Sequence, residues 1–111
     1  GPVRAWILGG VVIELLVVPD CPNEDAALTV LQEATESAGL ERVPVTVTVI
    51  DSSEEAQRRR FLGSPTFLID GIDPFAVPGA STGLTCRVYA TADGPSGVPD
   101  VETLREALVR A

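Results

Sequence analysis

The sequence lacks three residue types altogether, because it contains no lysine, no histidine and no methionine. Without lysine there can be neither a phosphate-loop lysine nor a Schiff base. Without histidine, a serine or cysteine triad of the usual kind and a histidine metal site are both excluded. Any chemistry must therefore come from cysteines, carboxylates, hydroxyls, arginines and backbone dipoles.

Positive charge is scarce, since eight basic residues, all arginines, face sixteen acids and the net charge is −8. Nucleic acids are bound by clustered positive charge, so the sequence predicts no nucleic-acid partner. The one basic run, Arg58-Arg59-Arg60, is interpreted as the solvated last turn of a helix, with an anion site as the weaker alternative. The 111 residues are 45% hydrophobic, which supports one domain with one core.

Cysteine is also scarce, and Cys21 and Cys86 are too few for a disulfide scaffold or a four-thiolate zinc site. Long apolar runs are missing as well. The stretch Ala5–Val18 is interrupted by Glu14 and is shorter than the roughly 20 residues that span a bilayer. The sequence therefore predicts a cytoplasmic protein with no membrane partner, in which a permanent disulfide would be unusual.

The first ten residues are interpreted separately from the rest. Gly1–Pro2 resembles a remnant of tag cleavage, and residues 1–10 as a whole are interpreted as an N-terminal extension. Residues 11–111 are interpreted as a single domain. Trp6, the only tryptophan, falls outside that domain, where it would cover a sheet edge or mediate self-association.

Hydrophobic patterns predict alternating strands and helices along residues 11–111. The near-continuous apolar run at Val11–Val18 is typical of a strand covered on both faces, and the β-branched run at Val45–Ile50 also indicates a strand. Apolar residues at a spacing of 3.6 predict a helix over Asn23–Ala38. A helix cap and an acidic first turn at Ser52–Glu55 lead into a short helix over Ala56–Leu62. The further elements are a turn and strand over Ser64–Ile69, a long loop over 72–85, a strand over Cys86–Ala90 and a last helix from Val101, capped by Asp100.

The predicted order of elements is β-α-β-α-β-β-α. Right-handed crossovers would make the first two strand–helix–strand units parallel, and the third and fourth strands would form an antiparallel pair. The expected fold class is therefore α/β and thioredoxin-like, with a four-stranded mixed sheet and helices on both of its faces.

The main candidate functional residue is Cys21, at the junction of the first strand and the first helix. A thiol that caps a helix meets unpaired N–H groups and the positive end of the helix dipole, which favour the thiolate. Asp20, Glu24 and Asp25 oppose this effect by repelling a second negative charge. The sequence leaves open the alternative of a buried cysteine that simply ends a strand.

A proline opens the third strand, directly after a helix, in the segment Ser64-Pro65-Thr66. This position is compatible with a cis peptide bond and also with an ordinary trans proline at the first residue of a strand. In the expected topology the turn would lie against the loop that carries Cys21.

With these features the chain resembles the thioredoxin-like superfamily over residues 11–111. The resemblance implies that Cys21 is the attacking thiol and that Pro65 is a cis-proline opposite it. Where that family usually has a second cysteine, three positions on, this chain has Glu24. Three alternatives remain, namely a monothiol mechanism, a distant resolving cysteine, or no redox role.

The spacing of Cys21 and Glu24 has two interpretations. It is the spacing of a capping box, in which the Glu24 side chain reaches back to the backbone N–H of Cys21. It would also hold a carboxyl group beside a thiolate, where that group could donate or accept a proton.

Together with Cys86, these two residues resemble the constellation of organomercurial (alkylmercury) lyases. Four segments add to a resemblance to small thioredoxin-like relatives of those lyases, namely Cys21-Pro22-Asn23, Gly63-Ser64-Pro65-Thr66, Asp73-Pro74-Phe75 and Gly83-Leu84-Thr85-Cys86-Arg87-Val88-Tyr89. The resemblance implies that Cys21 and Cys86 bind mercury and that Glu24, in place of an aspartate, helps to protonate the departing carbon. Two soft thiolates suffice for a two-coordinate soft ion, and no cofactor is firmly implied beyond such an ion, for example Hg(II).

The expected position of Cys86 argues partly against a shared ion. If the third strand starts beside Cys21 and the fourth returns towards it, Cys86 lies about 17 Å from the site, at roughly 3.4 Å per residue. The loop 72–85 is long enough to shift that start. The alternative is that Cys86 is simply a small, buried apolar residue.

Two functions are compatible with these residues. In the first, the protein is an enzyme or carrier that acts through Cys21 in thiol redox or soft-metal chemistry, on a small-molecule or protein thiol substrate. In the second, it is a non-catalytic, thioredoxin-shaped binding module that has lost the second cysteine of the CxxC motif.

Overall fold

The computed structural model describes residues 11–111. The expectations for the tag remnant, the N-terminal extension and Trp6 concern residues outside this range. The elements in chain order are β1 (Ile13–Val17), α1 (Glu24–Ser37), β2 (Val45–Val49), α2 (Ser53–Arg58), β3 (Thr66–Ile69), β4 (Tyr89–Thr91), β5 (Gly94–Ser96) and α3 (Val101–Arg110). None of these helices is long and apolar enough to cross a bilayer.

β1 is the central strand of a three-stranded sheet with the order β2-β1-β3. β2 runs parallel to β1, with Val47 opposite Leu15, and α1 provides the crossover that a parallel pair requires. β3 runs antiparallel to β1 along its other side, where Phe67 pairs with Leu15. β4 and β5 form a separate two-stranded antiparallel sheet.

Alternation along β1 sends its side chains into two cores on opposite sides of the sheet. Leu15 and Val17 enter the larger core, where they meet residues of α1 and α3 such as Leu31 and Leu104. Leu16 enters the smaller core with residues of α2 and of the segment after it. β1 is therefore apolar on both faces because each face is covered, which explains its near-continuous hydrophobic run.

The expected four-stranded sheet is wrong, because the three-stranded and the two-stranded sheets are separate. The predicted strand Cys86–Ala90 divides into two parts. At its start, Cys86 makes only an isolated parallel bridge with Ser64, just before β3. At its end, the chain enters β4, which pairs with β5 and not with β3.

The physical reason lies in the segment Asp93-Gly94-Pro95, whose sequence alone indicates only a break in the chain. Gly94 has φ +103, a conformation that glycine adopts without steric cost, and the chain can therefore reverse there. Pro95 lacks an N–H, but β5 is an edge strand and tolerates it. β4 consequently pairs with the next few residues of its own chain.

The helix boundaries also differ from the predicted ones. α1 begins at Glu24 with Asn23 as its N-cap, so Cys21, which the sequence predicts as the cap, lies two residues before it. α2 begins at the predicted cap, because the Ser52 hydroxyl accepts a hydrogen bond from the N–H of Glu55 at 3.1 Å, but it ends at Arg58, before the predicted Leu62. The chain then leaves the helix so that Phe61 can enter the smaller core.

Candidate functional site

The candidate site centres on the sulfur of Cys21, which lies after the end of β1, is half-buried and packs against the larger core. The Ser64 hydroxyl donates a hydrogen bond to Sγ of Cys21, with the oxygen 2.9 Å from the sulfur. The same oxygen accepts a hydrogen bond from the backbone N–H of Val18 at 3.0 Å. Because linked hydrogen bonds polarise one another, this chain directs the hydroxyl proton at the sulfur.

Ser64 is buried, and its backbone is fixed on both sides. The Ser64–Pro65 peptide bond is cis, which is one of the two alternatives that the sequence left open. On the other side, the Ser64 N–H donates to the carbonyl of Thr85 at 2.8 Å, and the Ser64 carbonyl accepts from the N–H of Arg87 at 3.0 Å. These contacts set the position from which the hydroxyl meets the sulfur.

Gly63 allows this close pairing of two backbones. Its φ is +122, and a Cβ placed there would lie 3.0 Å from Cβ of Arg87 and 3.2 Å from the carbonyl oxygen of Thr85. A side chain would therefore meet both an unfavourable φ and a collision. Glycine is required at this position for the segment at 85–87 to approach Ser64.

Arg87 holds the chain after β3 against the start of β3. Its guanidinium pairs with Asp73 at 2.7 Å, and the two side chains are only 8% and 10% exposed. It also donates to the hydroxyl of Thr66 at 3.0 Å and to the carbonyl of Phe75 at 2.8 Å, and it lies 4.8 Å from the centre of the Tyr89 ring. We call this set of five residues the Arg87 clamp.

Within the Arg87 clamp, Tyr89 acts on the cis-proline directly. Its hydroxyl donates a hydrogen bond to the carbonyl of Pro65, and its ring packs edge to face with Phe67 and Phe75. Burial raises the pKa of Tyr89 well above its ordinary value, and the nearby Arg87 guanidinium opposes this only in part. The hydroxyl therefore remains a donor at neutral pH.

Cys86 lies closer to Cys21 than expected. Its bridge with Ser64 places the two Cα atoms about 4.8 Å apart, and the Cα of Cys86 thus lies within roughly 10 Å of the Cys21 sulfur. The separation of about 17 Å inferred from an antiparallel fourth strand is wrong, because the loop 72–85 returns the chain to the start of β3. Cys86 is also exposed, so its interpretation as a buried apolar residue is wrong, and both thiols are free.

A cleft of about 500 Å³ lies beside Cys86. Its walls include the apolar side chains of Leu62, Phe75, Val77 and Ala80. This volume falls within the range of about 300–1,000 Å³ that is typical of small-molecule sites. The exposed thiol is therefore accessible from a concave and largely apolar surface.

Glu24 does not form the predicted capping box. The N-cap of α1 is Asn23, which makes no side-chain capping bond, and the backbone N–H of Glu24 donates to the carbonyl of Cys21 at 3.2 Å. The half-buried Glu24 carboxyl group makes no hydrogen bond or ion pair with any residue in 11–111. It is therefore free of a structural role in capping.

The connection between β5 and α3 packs beside the Cys21 turn. A Cβ at Gly97 would lie 2.5 Å from the amide nitrogen of Asn23, so the two residues are in tight contact. Val98, the next residue, packs against the larger core, as Cys21 does. The cis-proline segment therefore contacts the thiol directly, and this connection contacts the turn that carries it.

The arginine run divides among separate partners. Arg58, at the end of α2, pairs with Glu55 on the surface. Arg59 pairs with Glu14 of β1 at 2.8 Å, and Glu14 also accepts a hydrogen bond from the Thr48 hydroxyl at 2.6 Å. This network explains the one charged residue in the apolar run of β1.

Within residues 11–111 there is no group of three or more histidine, cysteine, aspartate or glutamate side chains arranged to hold a metal ion.

Ser64 and Arg87 are the residues that sequence reasoning missed. In the sequence, Ser64 stands out only as part of the Ser-Pro-Thr motif, and Arg87 only as one residue of a predicted strand. A signal was present, because an arginine between Cys86 and Val88 in an otherwise apolar segment needs a buried acidic partner. Asp73 in the Asp-Pro-Phe segment is that partner.

No family model, curated protein or solved structure matches this chain. The resemblance to thioredoxin-like proteins and to alkylmercury lyases therefore remains a prediction, and the site is interpreted from its own geometry.

Proposed function

We propose that the protein acts through the Cys21 thiol in thiol or soft-metal chemistry, with Cys86 as a second thiol. The observation that supports this is the position of Ser64 between the two cysteines. Its hydroxyl donates to the Cys21 sulfur, and its backbone pairs with Cys86. One buried residue thus connects both thiols of a chain that has only two.

Charge favours a cation over an anionic thiol as the substrate. Asp20, Glu24 and Asp25 lie next to Cys21 in the chain, and the whole protein carries a net charge of −8. This field repels anions and raises the local concentration of cations. Soft thiolate ligands select soft ions, and Hg(II) is the substrate that fits both conditions.

The proton balance of such a reaction is simple. Each thiol releases one proton as its sulfur bonds to Hg(II), and the two thiolates together neutralise the charge of the ion. With an organomercurial substrate, the departing carbon takes up one proton as its bond to mercury breaks. The Glu24 carboxylate, which is not used in capping, is the proposed relay: it accepts the proton that one thiol releases and passes it to the departing carbon.

The second candidate is a non-catalytic binding module. It is favoured by the half-burial of Cys21 against the larger core, where a thiol can serve as a small apolar side chain. In that case the Ser64 hydroxyl would only satisfy its own hydrogen bonds, and neither cysteine would bind a metal tightly.

Calorimetric titration with HgCl₂ tests the proposal. The unmodified chain should bind one Hg(II), and Cys21→Ser and Cys86→Ser should each lower the affinity by more than about tenfold, because each removes one of two soft ligands. Ser37→Ala, at an exposed serine at the end of α1 remote from Cys21, is the control. Unchanged affinity in Cys21→Ser would favour the binding module, and unchanged affinity in Cys86→Ser would show that the thiols act separately.

The role of Ser64 is tested by alkylation in a Cys86→Ser background, where only Cys21 reacts. A hydrogen bond to a charged group is worth about 1.5 kcal/mol, and Ser64→Ala removes the one that the Ser64 hydroxyl donates to the attacking sulfur. A less stabilised thiolate is also more nucleophilic, and this offsets part of the loss. Adding Ser64→Ala should therefore slow iodoacetamide alkylation at pH 7 about threefold. An equal or faster rate would remove Ser64 from thiol activation.

A further inference from the structure

The outer side of β2 is an uncovered sheet edge. Val45–Val49 pairs with β1 along its whole length, and no other strand within residues 11–111 pairs with its other side. Backbone N–H and C=O groups on that side are therefore available for another strand. Natural edge strands usually carry charges, prolines or bulges that prevent such pairing. β2 has the sequence Val-Thr-Val-Thr-Val and carries none of these.

The edge is also apolar. Val47 and Val49 are 39% and 52% exposed, although their partners in register, Leu15 and Val17, are fully buried on the same face of the sheet. The helix layer on that face therefore stops short of β2. Two exposed valines beside open backbone groups form a surface that a further strand would cover.

The sequence of β2 indicates which strand would fit. Valine and threonine alternate symmetrically about Val47. In an antiparallel pair of two β2 strands centred on Val47, each Val45 faces a Val49, each Thr46 faces a Thr48, and the two Val47 residues face each other. Like pairs of β-branched residues and of threonines are favourable cross-strand neighbours.

Charges outside the strand agree with this register. Arg42 precedes β2 and Asp51 follows it. Neither side chain forms an ion pair within residues 11–111. In the antiparallel pair, the Arg42 of each copy lies opposite Ser52 of the other, one residue from Asp51, and the two-fold axis repeats this arrangement.

We propose that β2 is an interface through which a second copy of this chain pairs antiparallel, with the two-fold axis at Val47. The two three-stranded sheets then join into one six-stranded sheet. A five-residue pairing buries less than the roughly 1,200 Å² of a standard interface, and the dimer is therefore weak and reversible. Each copy carries a charge of −8, so added salt strengthens the dimer by screening their repulsion.

Sedimentation equilibrium from about 10 µM to about 1 mM covers the expected range of affinity. The average mass of the full chain should rise from 11.6 kDa towards twice that value, and more so at high salt.

Val47→Lys, which sets two like charges opposite each other, should abolish this rise while the far-UV circular dichroism stays unchanged. Val49→Lys is the second variant should Val47→Lys fail to fold. Val109→Lys, at an exposed valine of α3, makes the same charge change away from β2 and should dimerise as before.

A charge swap identifies the partner as a second copy. Arg42→Glu should weaken the dimer roughly fivefold, since it places like charges at both ends of the pairing. Arg110→Glu, with the same charge change at the end of α3, should have a smaller effect. Adding Asp51→Arg to Arg42→Glu restores the net charge and the complementarity, and should return the dimer to its original strength.

Three results would overturn the proposal. The first is a chain that stays monomeric to about 1 mM, as it would if its own residues 1–10 covered β2. The second is an equal effect of Val47→Lys and Val109→Lys. The third is a double charge swap that dimerises no better than Arg42→Glu alone.

Discussion

The two outer strands of the sheet, β2 and β3, flank the same central strand and are both apolar, yet their surroundings are opposite. Every residue of β3 is buried, whereas two of the three valines of β2 are exposed. The difference comes from the chain that follows β3, which returns to the start of that strand and is fixed there by the Arg87 clamp. Apolar composition alone therefore does not decide whether an edge is closed.

The closed edge also carries the candidate site. Ser64 lies where the returning chain meets the sheet, and its backbone bonds to Thr85 and Arg87 position the hydroxyl that meets Cys21. Within residues 11–111, no buried side-chain nitrogen or oxygen lacks a hydrogen-bond partner. Removing one partner would therefore leave another buried polar group unpaired, which is costly.

The largest effect is expected from Asp73→Ala. This change leaves the Arg87 guanidinium buried without its carboxylate, and breaking a buried pair in this way costs about 3–5 kcal/mol. The free energy of unfolding, measured by urea denaturation, should fall by that amount.

The matched control is Glu55→Ala, which breaks the ion pair with Arg58, whose side chain is 71% exposed. Exposed pairs contribute about 0–1 kcal/mol, and the control should therefore remain near the stability of the unmodified chain. Equal losses in the two variants would mean that the Arg87 clamp does not close the edge of β3.

A smaller loss is expected from Gly63→Ala. The new Cβ would lie too close to Arg87 and Thr85, and alanine would have to adopt a φ of +122. The steric contact and the unfavourable φ together should lower the free energy of unfolding by about 2 kcal/mol. Gly79→Ala is the control, since Gly79 has φ +83 but no atom within 4 Å of the added Cβ. It should cost about 1 kcal/mol, which is the backbone contribution alone. If both variants lost the same stability in denaturation, the close approach of the two backbones would have no energetic weight.

The sequence predicted best where the pattern is local. The apolar run of β1, the alternation of β2 and the helical spacing of α1 each identify an element within a few residues of its observed bounds. These patterns depend on which faces of one element are buried, and a short stretch of chain contains that information. The position of Cys21 after β1, near the start of α1, follows from the same patterns.

The closed edge of β3 could not be predicted in this way. The contacts that define it join Ser64 to Thr85 and Arg87, and Arg87 to Asp73 across a loop. A periodic pattern contains no information about such pairings. The strand-like segment at Cys86 is therefore predicted to join the sheet, and this prediction is wrong. The capping box failed because the helix begins two residues later than that spacing requires, with Asn23 and not Cys21 as its N-cap.

The smallest effect is expected at alkaline pH and depends on Tyr89, the only tyrosine of the chain. Burial raises the pKa of Tyr89 in the folded state, while in the unfolded chain it is about 10. Below pH 10 both states hold the proton, so the contribution of Tyr89 to stability is complete. Above pH 10 only the unfolded state loses its proton, and the free energy of unfolding falls with increasing pH.

Between pH 10 and pH 11 this loss should amount to about 1 kcal/mol in denaturation experiments. Tyr89→Phe is the comparison, because it lacks the titrating hydroxyl and the chain contains no lysine that would titrate in this range. The variant should be about 1 kcal/mol less stable at neutral pH, since the Pro65 carbonyl loses its donor, but its stability should fall less steeply above pH 10. Parallel pH profiles for the two proteins would mean that water reaches the Tyr89 hydroxyl. The edge of β3 would then be open to solvent, as the edge of β2 is, and the returning chain would not close it.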